Sequence, residues 1–167
     1  MSMQKNVSLA PQPEETTGGF SRQQAEALYA LGYTQYSQGR YDDACQSFWM
    51  LVVFDNTDSR YHRGLASCLQ MTGRWHQAML AYSLAWSFKP DDPGPLFHLA
   101  ECMLALQQID EAREMLGEFL SETVSSRRYQ VLHARAEKML EEIRTAPVGG
   151  RRAAPERAST GAFAACH

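Results

Sequence analysis

Long apolar runs are absent from this chain of 167 residues. The longest uninterrupted one, FWMLVVF at 48–54, has seven residues, whereas a transmembrane helix needs about 20. The opening stretch, MSMQKNVSLAPQPEETTGG, also lacks the apolar segment that a secretory signal requires. We therefore expect a cytoplasmic protein that does not insert into a membrane.

Basic clusters are equally scarce in the body of the chain. The net charge is −3, and residues 21–145 contribute −4, with 12 Lys and Arg against 16 Asp and Glu. Only residues 146–167 are basic, at +2. Nucleic-acid binding depends on Lys and Arg clustered against phosphates. We therefore expect no nucleic acid among the partners.

Motifs that support catalysis or metal binding are missing too. The sequence has no Gly-rich phosphate loop, no G-x-S-x-G and no H-E-x-x-H. His98 and Glu101 would supply half of a metal site, but no second pair of ligands stands at helical spacing. The four cysteines form no C-x-x-C pair; they are Cys45, Cys68, Cys102 and Cys166. We predict no enzyme activity, no metal and no cofactor, and we interpret Cys68 and Cys102 as buried structural thiols rather than a reactive pair.

An internal repeat of 34 residues organises the chain. Three windows align without a gap, at 25–58, 59–92 and 93–126. Corresponding positions hold a leucine, then a small residue, then an alanine, then a large residue four places further on. These positions are Leu31, Leu65 and Leu99; Gly32, Ala66 and Ala100; Ala44, Ala78 and Ala112; and Phe48, Tyr82 and Leu116. This pattern is typical of tetratricopeptide repeats.

The repeat has a physical basis in the packing of two helices per window. Small residues on each helix let the two backbones approach closely, and the large residue fills the space between repeats. Gly39 and Gly73 suit the left-handed turn that ends a helix, and Pro90 stops the helix before it. The sequence therefore predicts an all-α, superhelical solenoid of three helix pairs with a C-terminal capping helix.

Seven helices follow from this register. They are predicted near 22–38, 42–54, 59–72, 75–88, 93–106, 109–122 and 127–144. The tetratricopeptide-repeat domain then spans 21–145, and the last helix is a cap whose apolar residues, Val131 among them, lie on one side. Segments 1–20 and 146–167 are predicted to be disordered tails.

A peptide-binding groove is predicted on the first helix of each window, because these helices line the concave side of such a stack. With Leu31 and the other packing positions facing inward, the helical period gives the residues that face solvent there. They include Tyr29, Tyr33, Tyr36, Arg63, Ser67, Gln70, Met71, Phe97, Glu101 and Leu104. Exposed aromatic rings with polar tips suit an extended segment that carries a few apolar side chains.

Two features of the groove and its surroundings leave alternatives open. The three tyrosines could be ordinary core residues, and Arg63 with its neighbour Arg60 could be solvated surface. The run at 48–54 is apolar on every side of its helix, so it requires cover on every side. That cover is either the packing between the first two repeats or a second copy of the chain.

Three stretches between Leu28 and Glu122 resemble the class II chaperones of bacterial type III secretion systems. They are LYALGYTQYSQGRYDDACQSF, LVVFDNTDSRYHRGLASCLQMTGRWHQAMLAYSLA and FHLAECMLALQQIDEAREML. The shared details are LY-x6-Y-x2-G-x-Y-x-x-A, the D-x-x-D-S-R junction at 55–60 and A-E-C at 100–102. The resemblance implies a small cytosolic helical chaperone that keeps hydrophobic translocator proteins soluble and apart before export, and that often dimerises through its N-terminal region.

The resemblance also implies site residues. The family's concave aromatic positions fall on Tyr29, Tyr33 and Tyr36, and its third-repeat groove contacts fall near Phe97, His98, Glu101 and Leu104. Two other functions stay open at this point. One is a generic scaffold that binds peptide segments in a multiprotein complex, and the other is a co-chaperone of needle subunits.

Overall fold

Seven α-helices and one short 3-10 helix make up residues 21–145, the part of the chain that the computed structural model describes. The predicted tails at 1–20 and 146–167 lie outside the described residues. The α-helices are α1 (Arg22–Ser37), α2 (Tyr41–Phe54), α3 (Ser59–Met71), α4 (Trp75–Phe88), α5 (Gly94–Ala105), α6 (Ile109–Thr123) and α7 (Gln130–Thr145), and the 3-10 helix Arg127–Tyr129 leads into α7. Each predicted helix is present.

The helix ends follow from local chemistry. Ser21 caps α1 in a capping box with Gln24, and the Asp58 side chain accepts a hydrogen bond from the Arg60 backbone at the start of α3. Gly39 and Gly73 have φ of 77° and 75°, which confirms the predicted left-handed turns. The third repeat makes the same turn with Gln107, whose φ is 62°.

Each helix packs against the one that follows it, so the three pairs and the cap form a continuous stack. All the small residues at the recurring positions are buried, and so are Phe48, Tyr82 and Leu116. One buried cluster spans α1 to α4 and reaches Leu99, and a second joins α5 and α6 to the cap. The predicted solenoid of helix pairs is confirmed.

Leu31 departs from the predicted register. It is 48% exposed, whereas its counterparts Leu65 and Leu99 are buried. Those two leucines are covered by the preceding repeat, because α3 packs on α2 and α5 packs on α4. Within the described residues no helix precedes α1, so the same position in the first repeat has no cover. The inward orientation predicted for Leu31 is therefore wrong.

The prediction for Val131 is also wrong, and the apolar run on α2 is only partly buried. Val131 is 75% exposed and does not share the buried side of the cap with Leu132. On α2, Phe48 and Leu51 are buried, but other residues of the apolar run are exposed: Trp49 at 59%, Met50 at 48% and Val53 at 70%. The repeats therefore bury only part of that run. A second copy of the chain is the alternative that could cover its exposed side chains.

Candidate peptide-binding groove

The first helices of the repeats, together with α7, form one surface, which we call the groove face. Side-chain bonds join these helices in sequence. Arg60 on α3 donates to Glu26 on α1 at 2.8 Å, and Arg135 on α7 donates to Glu101 on α5 at 2.8 Å. The Gln70 amide on α3 donates to Glu101 at 3.0 Å. Neighbouring first helices therefore lie side by side along the stack.

Seven of the eleven predicted site residues are partly exposed. They are Tyr29, Tyr33, Arg63, Gln70, Met71, Glu101 and Leu104. Each comes from α1, α3 or α5, so the partly exposed set runs along three adjacent helices. Tyrosine, methionine and leucine side chains give this set an apolar character, with charged and amide groups between them.

Four predicted site residues are buried instead. Tyr36 is 8% exposed, Ser67 1%, Phe97 0% and His98 5%. The prediction that Tyr36, Ser67 and Phe97 face solvent is therefore wrong, and His98 presents little surface to a ligand. For Tyr36 the core alternative is correct.

Neighbouring side chains explain this burial. The Tyr36 ring centroid lies 5.3 Å from that of Tyr41, across the turn at Gly39. Phe97 packs 5.5 Å from Phe119, and the Arg135 guanidinium covers its ring at 5.1 Å. The period of a helix identifies a face, but it does not show which residues the next helix covers.

Glu101 is the centre of a polar network on the groove face. It accepts hydrogen bonds from His98 Nδ1 at 2.9 Å, from Gln70 Nε2 at 3.0 Å and from Arg135 at 2.8 Å. Burial alone would raise the pKa of Glu101, but the hydrogen bonds from His98 and Gln70 and the charge of Arg135 outweigh it and lower the pKa. The carboxylate is therefore ionised and holds α3, α5 and α7 together.

The polar network continues inward through Gln70. Its Oε1 accepts from the Tyr82 hydroxyl at 2.7 Å, and the Tyr82 hydroxyl lies 3.1 Å from the Ser67 hydroxyl. Ser67 also donates to the Arg63 backbone oxygen at 3.0 Å. Gln70 and Ser67, two of the predicted groove residues, are therefore engaged within the protein.

The two arginines of α3 are also engaged. Arg60 bonds Asp58 and Glu26, and these hydrogen bonds raise its pKa. Its guanidinium lies over the Tyr29 ring at 5.3 Å. Arg63 donates to Asp92 at 3.2 Å. Sequence reasoning missed the Arg60–Glu26 pair, although a spacing of 34 residues places opposite charges on adjacent repeats.

Asp92 is a second buried carboxylate that sequence reasoning missed. It is 6% exposed and accepts hydrogen bonds from the Tyr129 hydroxyl, from the Gly94 backbone at 3.1 Å and from Arg63. Burial acts to raise the pKa of Asp92, but these hydrogen bonds outweigh it and lower the pKa. Asp92 therefore anchors the 3-10 helix before α7 to the loop after α4.

No group of three or more His, Cys, Asp or Glu within 21–145 is arranged to hold a metal ion. Cys68 and Cys102 are free and fully buried, which confirms their interpretation as buried thiols. Burial raises the pKa of Cys102 to about 12, so this thiol is protonated at neutral pH. Among these residues, no helix combines the length and the apolar character that crossing a membrane requires.

Known families and proteins match this chain over most of the stack. The tetratricopeptide repeat family matches residues 25–51 and 69–136. Low calcium response locus protein H of Yersinia pestis is 36% identical over 121 residues, which is 71% of each chain. Chaperone protein SicA of Salmonella typhimurium is 30% identical over 128 residues, covering 77% of this chain and 75% of SicA.

Solved structures share the fold at similar identity. SycD of Yersinia enterocolitica, a type III secretion chaperone solved with a peptide of the translocator YopD, superposes with a TM-score of 0.72 at 34% identity, over 74% of this chain and 95% of SycD. PcrH with the chaperone-binding region of PopD gives 0.72 at 36%, over 75% of this chain and 95% of PcrH. An alternative dimer of SycD gives 0.72 at 33%, over 74% and 94%.

The family matches include most of α1, the end of α3, all of α5 and the first residues of the cap. The resemblance stated from the sequence motifs is thus confirmed by overall identity and by fold. This chain belongs to the tetratricopeptide-repeat chaperones of type III secretion systems.

Proposed function

We propose that this protein is a cytoplasmic bacterial chaperone that binds an extended segment of hydrophobic translocator proteins on its groove face. Binding would keep those proteins soluble and apart until export. The observation that carries the proposal is the row of partly exposed tyrosine, methionine and leucine side chains along α1, α3 and α5. The YopD and PopD complexes of SycD and PcrH support it, because those relatives bind translocator segments.

The structure favours apolar anchors over polar clamps. Arg60, Arg63 and Gln70 already bond to other side chains of the protein. A ligand that used them would have to displace those bonds, which offsets most of the gain. Tyr33, Met71 and Leu104 are partly exposed and offer apolar surface that a ligand can cover. We therefore propose these three residues as the main anchors.

The outer face of α2 is the proposed site of a homodimer. Trp49, Met50 and Val53 are exposed on one helix that begins 20 residues after the first described residue, so this face belongs to the N-terminal region. Covering three large apolar side chains is favourable in proportion to the area removed from water. The SycD dimer supports self-association in this family.

A non-enzymatic role completes the proposal. The titratable groups of the groove face are tied into ion pairs and hydrogen bonds that hold helices together. The buried thiols Cys68 and Cys102 have raised pKa values, which disfavours a nucleophilic thiolate. Binding without turnover is the function that fits such a site.

The experiment is a fluorescence anisotropy titration of the labelled YopD peptide with the full chain. Tyr33→Ala and Leu104→Ala should each weaken binding by about 1–3 kcal/mol, because each removes an apolar anchor. Leu80→Ala is the matched control, since Leu80 is 64% exposed on α4, outside the groove face. Equal affinities for wild type, both anchor variants and the control would reject the groove assignment.

A further inference from the structure

A row of exposed apolar side chains runs along α4, outside the groove face. Leu80 is 64% exposed, Leu84 45% and Phe88 43%. They are spaced by four residues, so they share one side of the helix over about 12 Å. The Phe88 ring stacks on His62 with the centroids 5.4 Å apart, which holds that end of the row in place. Neither the proposed groove nor the proposed contact on α2 uses these side chains.

The corresponding row on α6 is acidic. Glu114, Glu118 and Glu122 stand 34 residues after the three apolar residues of α4, and all three are exposed. Equivalent helices of successive repeats present the same positions to the same side of the stack. Because these positions are exposed on both helices, the two rows lie on one outer surface, which we call the α4–α6 face.

The acidic row has no cation of residues 21–145 within ion-pair distance, 4.0 Å. α6 carries five carboxylates and one arginine, and that arginine, Arg113, pairs with Asp110 at 2.6 Å. α4 contains no Lys, Arg, Asp or Glu. The α4–α6 face therefore combines an apolar row with a row of negative charge that ion pairs of these residues do not neutralise.

This combination favours a basic amphipathic helix over a second copy of the chain. In a two-fold dimer through this face, α4 and α6 of one copy would contact the same helices of the other. Those helices offer the acidic row only Arg113, which already pairs with Asp110. The negative charge also disfavours an anionic lipid surface.

A basic amphipathic helix supplies both of the features that the face requires. Two rows of side chains at a four-residue spacing form ridges into which another helix can pack. Apolar side chains on one side of that helix would cover the α4 row. Lys or Arg on the adjacent flank would pair with the α6 row, and such charge complementarity favours this ligand over an acidic one.

We propose that the α4–α6 face binds a basic amphipathic helix of a second protein partner. The face lies on second helices of the repeats, whereas the groove face lies on the first helices and α7. A translocator segment and the second partner can therefore bind at the same time. The inference goes beyond the proposed function and does not require it.

The probe is a fluorescein-labelled designed helix of about 18 residues, or five turns, with leucine along one side and lysine along the adjacent flank. A second peptide carries glutamate at each lysine position. In anisotropy titrations of the full chain at about 50 mM salt, the lysine peptide should bind at least about tenfold more tightly than the glutamate peptide. Salt at about 300 mM should reduce this difference. Saturating unlabelled YopD peptide should leave the affinity for the lysine peptide unchanged.

Substitutions in the acidic row test the contribution of charge. Glu114→Gln combined with Glu118→Gln should weaken binding of the lysine peptide about fivefold, as expected for the loss of two exposed ion pairs. Glu137→Gln combined with Glu141→Gln removes the same charge from exposed side chains of α7. This control should bind the lysine peptide as wild type does.

Substitutions in the apolar row test the contact with leucine. Leu80→Ser combined with Leu84→Ser should weaken binding at least about tenfold, because both side chains would be covered by the peptide. Both positions are exposed, so the helical content measured by circular dichroism should match that of wild type. Tyr33→Ala, on the groove face, is the control and should keep the affinity for the lysine peptide.

Several outcomes would overturn the proposal. One is equal affinity for the two peptides, and another is unchanged affinity in the Glu114 and Glu118 variant. Loss of binding in Tyr33→Ala, or competition by the YopD peptide, would place the helix in the groove instead. A change from dimer to monomer in the Leu80 and Leu84 variant, measured by sedimentation velocity, would make a second copy the occupant. Failure of the YopD peptide to bind contradicts only the proposed function.

Discussion

Phe48 occupies the space where a side chain on Gly64 would be. A Cβ on Gly64 would lie 2.5 Å from Cδ1 and 2.8 Å from Cζ of Phe48, well inside van der Waals contact. Gly32 faces the other part of the same ring, with a Cβ position 3.1 Å from Cζ. Phe48 is completely buried between them. Two glycines on successive first helices thus let one aromatic ring of α2 join the first two repeats.

Gly64→Ala should therefore destabilise the protein by about 1–3 kcal/mol through overpacking. Alanine is favoured over glycine in a helix by about 1 kcal/mol, so Gly64→Ala would stabilise the protein if nothing lay near its Cβ. A net loss of stability therefore has to come from the clash with Phe48. Chemical denaturation monitored by circular dichroism measures the change. Gly117→Ala is the matched control, because nothing lies within 4 Å of its Cβ position on α6, and it should stabilise. A stabilising Gly64→Ala would show that Phe48 is not held as described.

Gln107→Gly should stabilise the third repeat by about 1 kcal/mol. Gln107 adopts a φ of 62°, which costs about 1–2 kcal/mol for a residue with a Cβ and nothing comparable for glycine. Thermal unfolding of the variant measures the gain. The reverse change, Gly73→Gln at a φ of 75°, should lower Tm. Gln107→Gly should raise Tm and Gly73→Gln should lower it. A change of Tm in the same direction for both variants would contradict the explanation.

The repeat period predicts the helices well because every window carries the same packing positions. It also explains why Leu31 was misplaced, since the pattern does not indicate that no helix precedes the first copy within the described residues. Val131 was misplaced because its flank of the cap helix is exposed, which the helical period alone does not show. Tyr36 and Phe97 were predicted to be exposed because the sequence does not show which neighbouring side chains cover them. Gly64 was missed because its need for a glycine arises from Phe48, which lies on a different helix.

Acidification should weaken the stack through Glu101. A carboxylate with a lowered pKa in the folded state stabilises the protein above its ordinary pKa of 4.5. That contribution is lost as pH falls from about 4.5 through the folded-state pKa, because the unfolded chain binds the proton more readily. Glu101→Gln should therefore have a lower Tm than wild type at pH 7.

The gap in Tm between Glu101→Gln and wild type should shrink as pH is lowered from 5 toward 3. Asp92 also loses its stabilising effect as pH falls, because its pKa is lowered as well. Since Asp92 is present in both wild type and Glu101→Gln, it lowers the stability of both. The comparison therefore isolates the Glu101 contribution. A gap that stays constant over this range would show that the charge of Glu101 does not stabilise the fold.

Charge on the outer face of α2 should prevent self-association. Trp49→Glu combined with Val53→Glu places like charges in an apolar contact, which costs several kcal/mol and should weaken any dimer at least about tenfold. Sedimentation velocity over a range of concentrations measures this. Gln130→Glu, at an exposed residue of α7, is the control and should leave the dimer intact. An unchanged dimer in the double variant would place the interface elsewhere.

Site-specific photo-crosslinking most directly tests whether the first helices of the repeats bind the translocator segment. Benzoylphenylalanine is introduced at Tyr33 on the groove face or at Trp49 on the outer face, and the full chain is irradiated with the YopD peptide. The probe at 33 should crosslink to the peptide, and the probe at 49 should crosslink to a second copy of the chain. Crosslinking of the peptide from position 49 and not from position 33 would contradict the binding site.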